Sequence, residues 1–241
     1  MAYSNLESLL NRFYGDESLN GTKLFYGWVR RYLRPDFTVL NLGAGHPVRV
    51  NPLSSLRGLA RRVIGVDLCE SILRNKDLDQ AVIADGCRLP FPGGHFDLVV
   101  SDYTLEHIGN PLEFLAETAR VLKPGGSFFF RTPNQYHYTA WITRLVPFRF
   151  HRALANWAQG ASEKVFERFP TFYRLNSRRR ILSLCRQVGF KKAEVRLIET
   201  EPTYLVFHPI PFLCGVAYER LVNRFGLLEN LRVNILGRFE R

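Results

Sequence analysis

Through the middle of the chain, short apolar runs bounded by Gly, Asp or Pro alternate with stretches of helical periodicity. The runs at 37–40, 62–66, 81–84, 96–100 and 127–130 are continuous rather than alternating, which predicts strands covered on both faces. Such strands run parallel and need crossover helices between them, so the pattern predicts an α/β fold built on a mostly parallel sheet with helices on both faces. Before the first strand, residues 2–33 read as two short helices separated by Gly15 and Asp16. The second carries Leu24, Phe25, Trp28, Val29 and Leu33 on a helical spacing and is stopped by Pro35. The best-marked helix is 111–122. Asn110 stands at its cap, Pro111 suits its first position, Leu112, Leu115, Ala119 and Leu122 form one stripe, and Gly125 and Gly126 follow its end.

After the fifth strand, 133–176 is rich in aromatics and arginines with little periodicity. It is too long for a plain connection, so a cap insertion is expected there. A helix at 177–188, a hairpin of 194–198 with 204–207 and a helix at 214–225 complete the expected elements. The chain is thus expected to be one domain: a helical segment (1–35), a ligand-binding core (36–132), the cap (133–176), the last helix and strand pair (177–210) and a C-terminal extension (211–241).

Composition narrows the classes. With 241 residues, 46% of them apolar, the chain can bury a core without staples, which excludes disorder for most of it. Cys69, Cys87, Cys185 and Cys214 are scattered without a CxxC pair or a histidine at ligand spacing, so no metal is expected. No basic-then-apolar leader opens the sequence, which predicts a cytoplasmic setting. The apolar stretch 204–218 is interrupted by His208, Pro209 and Pro211 and is too short to span a bilayer. The net charge of +11 is compatible with an anionic substrate, a nucleic acid or the inner face of a membrane. Residues 140–180 concentrate it, with nine Lys and Arg against two Glu.

Open parallel sheets bind ligands beyond the carboxyl ends of their strands, and those ends carry a set of polar groups here. Asn41, Leu42, Gly43, Ala44 and Gly45 close the first strand with a glycine turn that lets backbone approach a ligand. Asp67, with Leu68 after it, ends the second strand 22 residues past Gly45, near the spacing at which a carboxylate reaches ribose hydroxyls. Asp85 and Gly86 follow the third strand, where a carboxylate could accept from an adenine amino group. Ser101, Asp102 and Tyr103 follow the fourth. Each alone is ordinary turn chemistry; together they suit a nucleoside-like ligand.

These stretches, with Leu105-Glu106-His107 and Arg120-Val121-Leu122-Lys123-Pro124-Gly125-Gly126, resemble class I S-adenosylmethionine-dependent methyltransferases of the small-molecule, methyltransferase-11-like type, over about residues 37–133. The resemblance implies a Rossmann-like sheet of seven strands and S-adenosylmethionine as cofactor. Gly43 to Gly45 would lie under the methionine part, Asp67 on the ribose and Asp85 near the adenine. Asn41 and Pro47 depart from the usual pattern of an acidic residue and a third glycine. Asn41 can accept a hydrogen bond but cannot offset an ammonium charge, and Pro47 predicts a longer loop with the next helix starting at Pro52.

The cofactor is already an activated donor, so the protein has to align the acceptor and, for oxygen, remove a proton. Candidate bases are His137 first, then His107 and His151, with Glu106 as a further choice. Tyr103, Tyr136, Tyr138, Trp141, Phe148, Trp157 and Tyr173 could shape an acceptor pocket, and Arg178, Arg179 and Arg180 could hold phosphate or carboxylate. The fourth strand lacks the signatures of base methylation, and no nucleic-acid module is present. The expected activity is methyl transfer to a small or medium acceptor, at oxygen rather than at nitrogen or carbon. The resemblance of the Thr132-Pro133-Asn134 stretch to methyltransferases of cell-surface polysaccharide pathways implies a saccharide or lipid-linked glycan, with peripheral contact to a membrane through 207–222 as a further reading. The competing readings are a cofactor-binding scaffold without chemistry and a nicotinamide-dependent oxidoreductase.

Overall fold

The computed structural model describes residues 2–45, 51–145 and 170–241. Helices α1 (Ala2–Tyr14) and α2 (Gly21–Arg30) precede β1 (Thr38–Leu42), β2 (Arg62–Asp67), β3 (Gln80–Ile83) and β4 (Phe96–Asp102). Helix α3 (Pro111–Val121) leads into β5 (Leu122–Pro133), followed by α4 (Tyr138–Leu145), α5 (Arg178–Gln187), β6 (Lys191–Ile198), α6 (Pro209–Arg224) and β7 (Asn234–Glu240). The strands form one seven-stranded sheet in the order β3-β2-β1-β4-β5-β7-β6. The pairs β1–β2, β1–β4, β2–β3 and β4–β5 are parallel. Leu40 lies beside Ile64 on one side and Val99 on the other, and Val99 beside Phe128. These positions are fully buried or nearly so, as the unbroken apolar runs require.

Two compact units are present: residues 25–132, 169–196 and 235–241 form one, and residues 1–24, 133–168 and 197–234 the other. The first is organised by the sheet. Phe128, Phe130, Phe190 and Phe239 stack over β5 and β7, with the Phe130 and Phe239 rings 5.8 Å apart and 12° from parallel. Trp28 meets Phe129 edge to face at 5.3 Å. In the second unit, Leu6 and Tyr14 of α1 pack on Phe212 and Val216 of α6, with Leu9, Leu10, Phe13, Leu19 and Val206 around them.

All five strands read from the apolar runs form, as do both N-terminal helices and the helices at 111–121 and 178–187. Three expectations are corrected. Residues 204–207 are not a strand: a 3-10 turn covers Thr203–Leu205, and the seventh strand is Asn234–Glu240, inside the segment expected to be an extension. Buried Ile235, Leu236 and Phe239 give it its place in the core, whereas Pro202 and Pro209 deny 204–207 a ladder. No helix starts at Pro52; residues 52–60 make turns. Ser54, Ser55 and Gly58 are weak helix formers, and the Arg30 guanidinium binds the Pro52 and Ser55 carbonyls at 2.6 and 3.0 Å. Asn110 occupies the N-cap of α3 without a capping side-chain bond. Pro47, Phe148, His151 and Trp157, and most of the expected cap, lie outside the described residues. Among the described residues, no helix is long and apolar enough to cross a membrane.

Candidate active site

The carboxyl ends of β1 and β2 are tied together by the glycine turn. Gly43 and Gly45 sit at φ +75° and +50°, a region that side chains strain to adopt. The Gly43 and Ala44 amides donate to the Val66 carbonyl at 2.8 and 3.2 Å, so the turn folds over the end of β2. A Cβ on Gly43 would overlap Thr104 Oγ1, whereas one on Gly45 would meet only Asp67 Oδ2, at 4.0 Å. The turn is therefore closely backed by Thr104 and open beside Asp67.

Asp67 fixes this geometry. Its Oδ2 accepts the Gly45 amide and its Oδ1 the Cys69 amide, both at 2.9 Å. Each carboxylate oxygen keeps a further lone pair, which is what ribose hydroxyls would use. The Asn75 amide braces the turn from beneath, donating to the Ala44 and Gly45 carbonyls at 3.1 Å each. Leu68 is exposed beside Asp67. Asp85 is exposed and accepts the Cys87 amide at 2.8 Å, while a Cβ on Gly86 would press on the Phe114 ring at 2.9 Å. An open glycine turn, a carboxylate with spare lone pairs and a second exposed carboxylate past β3 fit an S-adenosyl group. Asn41 is half-buried in β1 and makes no side-chain bond among the described residues.

The end of β4 is more occupied than its sequence suggested. Ser101 is fully buried and donates to the Leu42 carbonyl at 3.1 Å, a tie between strands. Asp102 is held bidentately by Arg131, both bonds 2.7 Å. The Arg131 guanidinium also lies 4.5 Å from the Tyr103 ring and 5.5 Å from that of Phe25. Tyr103 itself adopts φ +52°, a strained conformation for a bulky residue. The buried Tyr26 hydroxyl is pushed well above its ordinary range, first by burial and then by the Asp102 charge.

Glu106 lies four residues past β4, inside this unit, and is only 6% exposed. Its Oε2 accepts the Thr132 hydroxyl at 3.2 Å, and Thr132 in turn accepts the Asn176 amide at 2.7 Å. Burial raises its carboxyl from 4.5 to about 7, with Asp102 adding to the rise and the Thr132 bond opposing it. The same turn anchors the chain entering α5. The Glu106 carbonyl accepts the Phe172 and Tyr173 amides, His107 Nδ1 meets the Pro170 carbonyl at 3.0 Å, and Arg174 donates to the Gly109 carbonyl at 2.6 Å. His107 therefore fixes a loop. Arg178, Arg179 and Arg180 are exposed in the first turn of α5.

His137 belongs to the other unit and is 1% exposed. Its Nδ1 lies 2.7 Å from Thr139 Oγ1, and its Nε2 faces Glu199 Oε2 at 3.5 Å. Glu199 also accepts the Val233 amide at 2.9 Å. Tyr138 and Tyr218 close over the pair, their rings 5.0 Å apart. Burial, then the Glu199 charge, raises the Tyr138 hydroxyl to about 12. Arg131, Asn75 and Thr104 were not legible as site residues, because each acts on a partner distant in sequence. For Arg131 the signal is a charge directly after the apolar run Phe128 to Phe130.

Residues 40–130 match the family model described as "Methyltransferase domain". Over those residues the chain carries a methyltransferase domain, similar to those of class I S-adenosylmethionine-dependent methyltransferases, whose cofactor is S-adenosylmethionine. Among curated proteins, the "Probable S-adenosylmethionine-dependent methyltransferase" of Mycolicibacterium smegmatis is 32% identical over 108 residues, covering 42% of this chain and 40% of that protein. The ubiquinone/menaquinone biosynthesis C-methyltransferase UbiE of Burkholderia vietnamiensis is 34% identical over 102 residues, covering 39% and 42%. The matches thus span less than half the length of these relatives. A solved methyltransferase from Archaeoglobus fulgidus shares the fold, with a TM-score of 0.56 at 15% identity over 97% of this chain and 98% of that one.

Proposed function

We propose that the protein transfers the methyl group of S-adenosylmethionine to an oxygen of a small or medium acceptor, a saccharide or lipid-linked glycan. The observation that carries the reading is the Gly43–Gly45 turn opened beside Asp67. Gly43 to Gly45 would pass under the methionine part, the free lone pairs of Asp67 would take the ribose hydroxyls, Leu68 would flank the ring, and Asp85 with Gly86 would border the adenine. The bound cofactor supplies an activated methyl on a sulfonium. The work left to the chain is to hold the acceptor in line and take its proton.

Asp102 is neutralised by Arg131 and serves to hold Tyr103 over the end of β4 rather than to act as a base. Among the candidates, Glu106 is favoured for proton transfer because its carboxyl sits near 7, where a base is both ionised and basic enough. His137 has a carboxylate at its Nε2, an arrangement that orients an imidazole, and its replacement tests the second candidate. A lipid-linked acceptor would bring the protein to the inner face of a membrane. The UbiE relatives are C-methyltransferases by name; the oxygen reading differs from theirs, and the atom that carries the label in the product decides between the two.

Calorimetric titration with S-adenosylmethionine, S-adenosylhomocysteine and NAD tests the cofactor. Binding of the first two with NAD silent, and its loss in Asp67→Ala, is expected. NAD binding, or unchanged affinity in Asp67→Ala, would overturn the reading. Transfer of labelled methyl to saccharide or glycolipid fractions tests the acceptor, and label found only on carbon or nitrogen would refute O-methylation.

A further inference from the structure

Helix α6 (Pro209–Arg224) is apolar on two opposite faces. The inward face places Phe212, Gly215, Val216, Glu219 and Val222 in the core of its unit. The outward face carries Ile210, Leu213, Cys214, Ala217, Leu221 and Arg224, all exposed. At about 100° per residue these six fall within an arc of roughly 100°. The stripe continues past the helix end: Phe225 is exposed and Leu227, in the 3-10 turn Gly226–Leu231, is 97% exposed. Ile210, at the other end, is 67% exposed. Among the described residues the core contacts of α6 are made by its inward face while the outward apolar side chains stay exposed, and an exposed apolar band of this extent marks an interaction surface.

The charges on the helix say what the surface meets. Its single carboxylate, Glu219, is turned inward and accepts the Tyr14 hydroxyl at 3.1 Å. The outward side offers Arg220, whose side chain is 61% exposed beside Glu219, and Arg224, which has no partner among the described residues. The outward face of the helix itself offers no carboxylate to a second copy's arginines; the one carboxylate of the turn, Glu229, is half-buried, so pairing two copies would bring like charges together along the helix. We propose that α6 and the turn after it lie on an anionic lipid surface, with Ile210, Leu213, Leu221 and Leu227 entering the acyl boundary and Arg220 and Arg224 at the headgroups. At 16 residues the helix lies in the interface rather than spanning it. The inference stands apart from the acceptor's identity, since vesicle binding is read without methyl transfer.

The test is co-sedimentation of the full chain with vesicles of phosphatidylcholine alone and of phosphatidylcholine containing phosphatidylglycerol at roughly one part in three. Binding to the anionic vesicles that weakens about tenfold in Leu227→Glu and in Ile210→Glu, and that falls in Arg224→Glu and at high salt, is expected. S-adenosylmethionine binding measured on each variant should stay at the wild-type level, which shows that the fold is kept. No association with anionic vesicles at about 0.1 M salt would overturn the proposal. So would binding that ignores the Leu227 and Ile210 changes, or a concentration-dependent dimer abolished by Leu227→Glu.

Discussion

Replacing Glu106 by Gln should change how stability depends on pH, and the size of the change follows from its surroundings. Its carboxyl titrates at about 7 in the folded protein against 4.5 for an ordinary glutamate, chiefly because burial disfavours the charge. Between those values the native state holds a proton that the unfolded chain has released. The contribution is therefore complete below 4.5 and is lost as pH rises through about 7. The interval corresponds to roughly 3 kcal/mol withdrawn from the native state. Gln keeps the volume and can accept the Thr132 hydroxyl, but its amide hydrogens lack the carboxylate's partners, a cost of about 1 kcal/mol. The variant should thus be slightly less stable than wild type near pH 4.5 and about 2 kcal/mol more stable near pH 8. Urea denaturation followed by tryptophan fluorescence across that range gives both curves. Carboxylates elsewhere shift both proteins together, so their difference isolates Glu106. Parallel curves would mean that Glu106 titrates as an ordinary glutamate, and both the burial argument and its assignment as the proton acceptor would fall.

Other outcomes follow from the same geometry. Gly43→Ala forces a side chain into a φ of +75° against Thr104; S-adenosylmethionine binding should weaken at least about tenfold with a loss of ~2 kcal/mol of stability, read by calorimetry and melting. Arg131→Ala strands the Asp102 carboxylate and should cost ~3 kcal/mol, while the double change with Asp102→Asn should recover much of it, a coupling measured by a double-mutant cycle. Asn41→Asp places a charge opposite the cofactor's ammonium and should tighten S-adenosylmethionine several-fold in calorimetry; unchanged affinity would place Asn41 away from that ammonium. Gly237→Ala puts a Cβ into the Phe130 ring and should lower the melting temperature by the equivalent of about 2 kcal/mol while leaving cofactor affinity unchanged.

The sequence by itself determined the parallel sheet and the glycine turn with a carboxylate beside it. Runs such as Leu98 to Val100 and Phe128 to Phe130 are apolar at consecutive positions, and only a strand covered on both faces tolerates that. Gly43, Gly45 and Asp67 are local in effect: a positive φ and a carboxylate at a strand end act within a few ångströms of their own backbone. The seventh strand was hidden because 234–240 is bounded by no proline and glycine frame, and its glycine exists to admit the Phe130 ring from a strand more than a hundred residues earlier. The two faces of α6 are alike in their apolar content, so periodicity alone could not say which one is covered. Asp102 looked like a ligand group until Arg131, 29 residues on, was brought against it, and Glu106 acquired its raised carboxyl only when folding buried it, against the opposing bond from Thr132. Burial and long-range pairing are properties of the packed chain, and they decided which of the polar groups at the strand ends remain open to a ligand and which serve the fold.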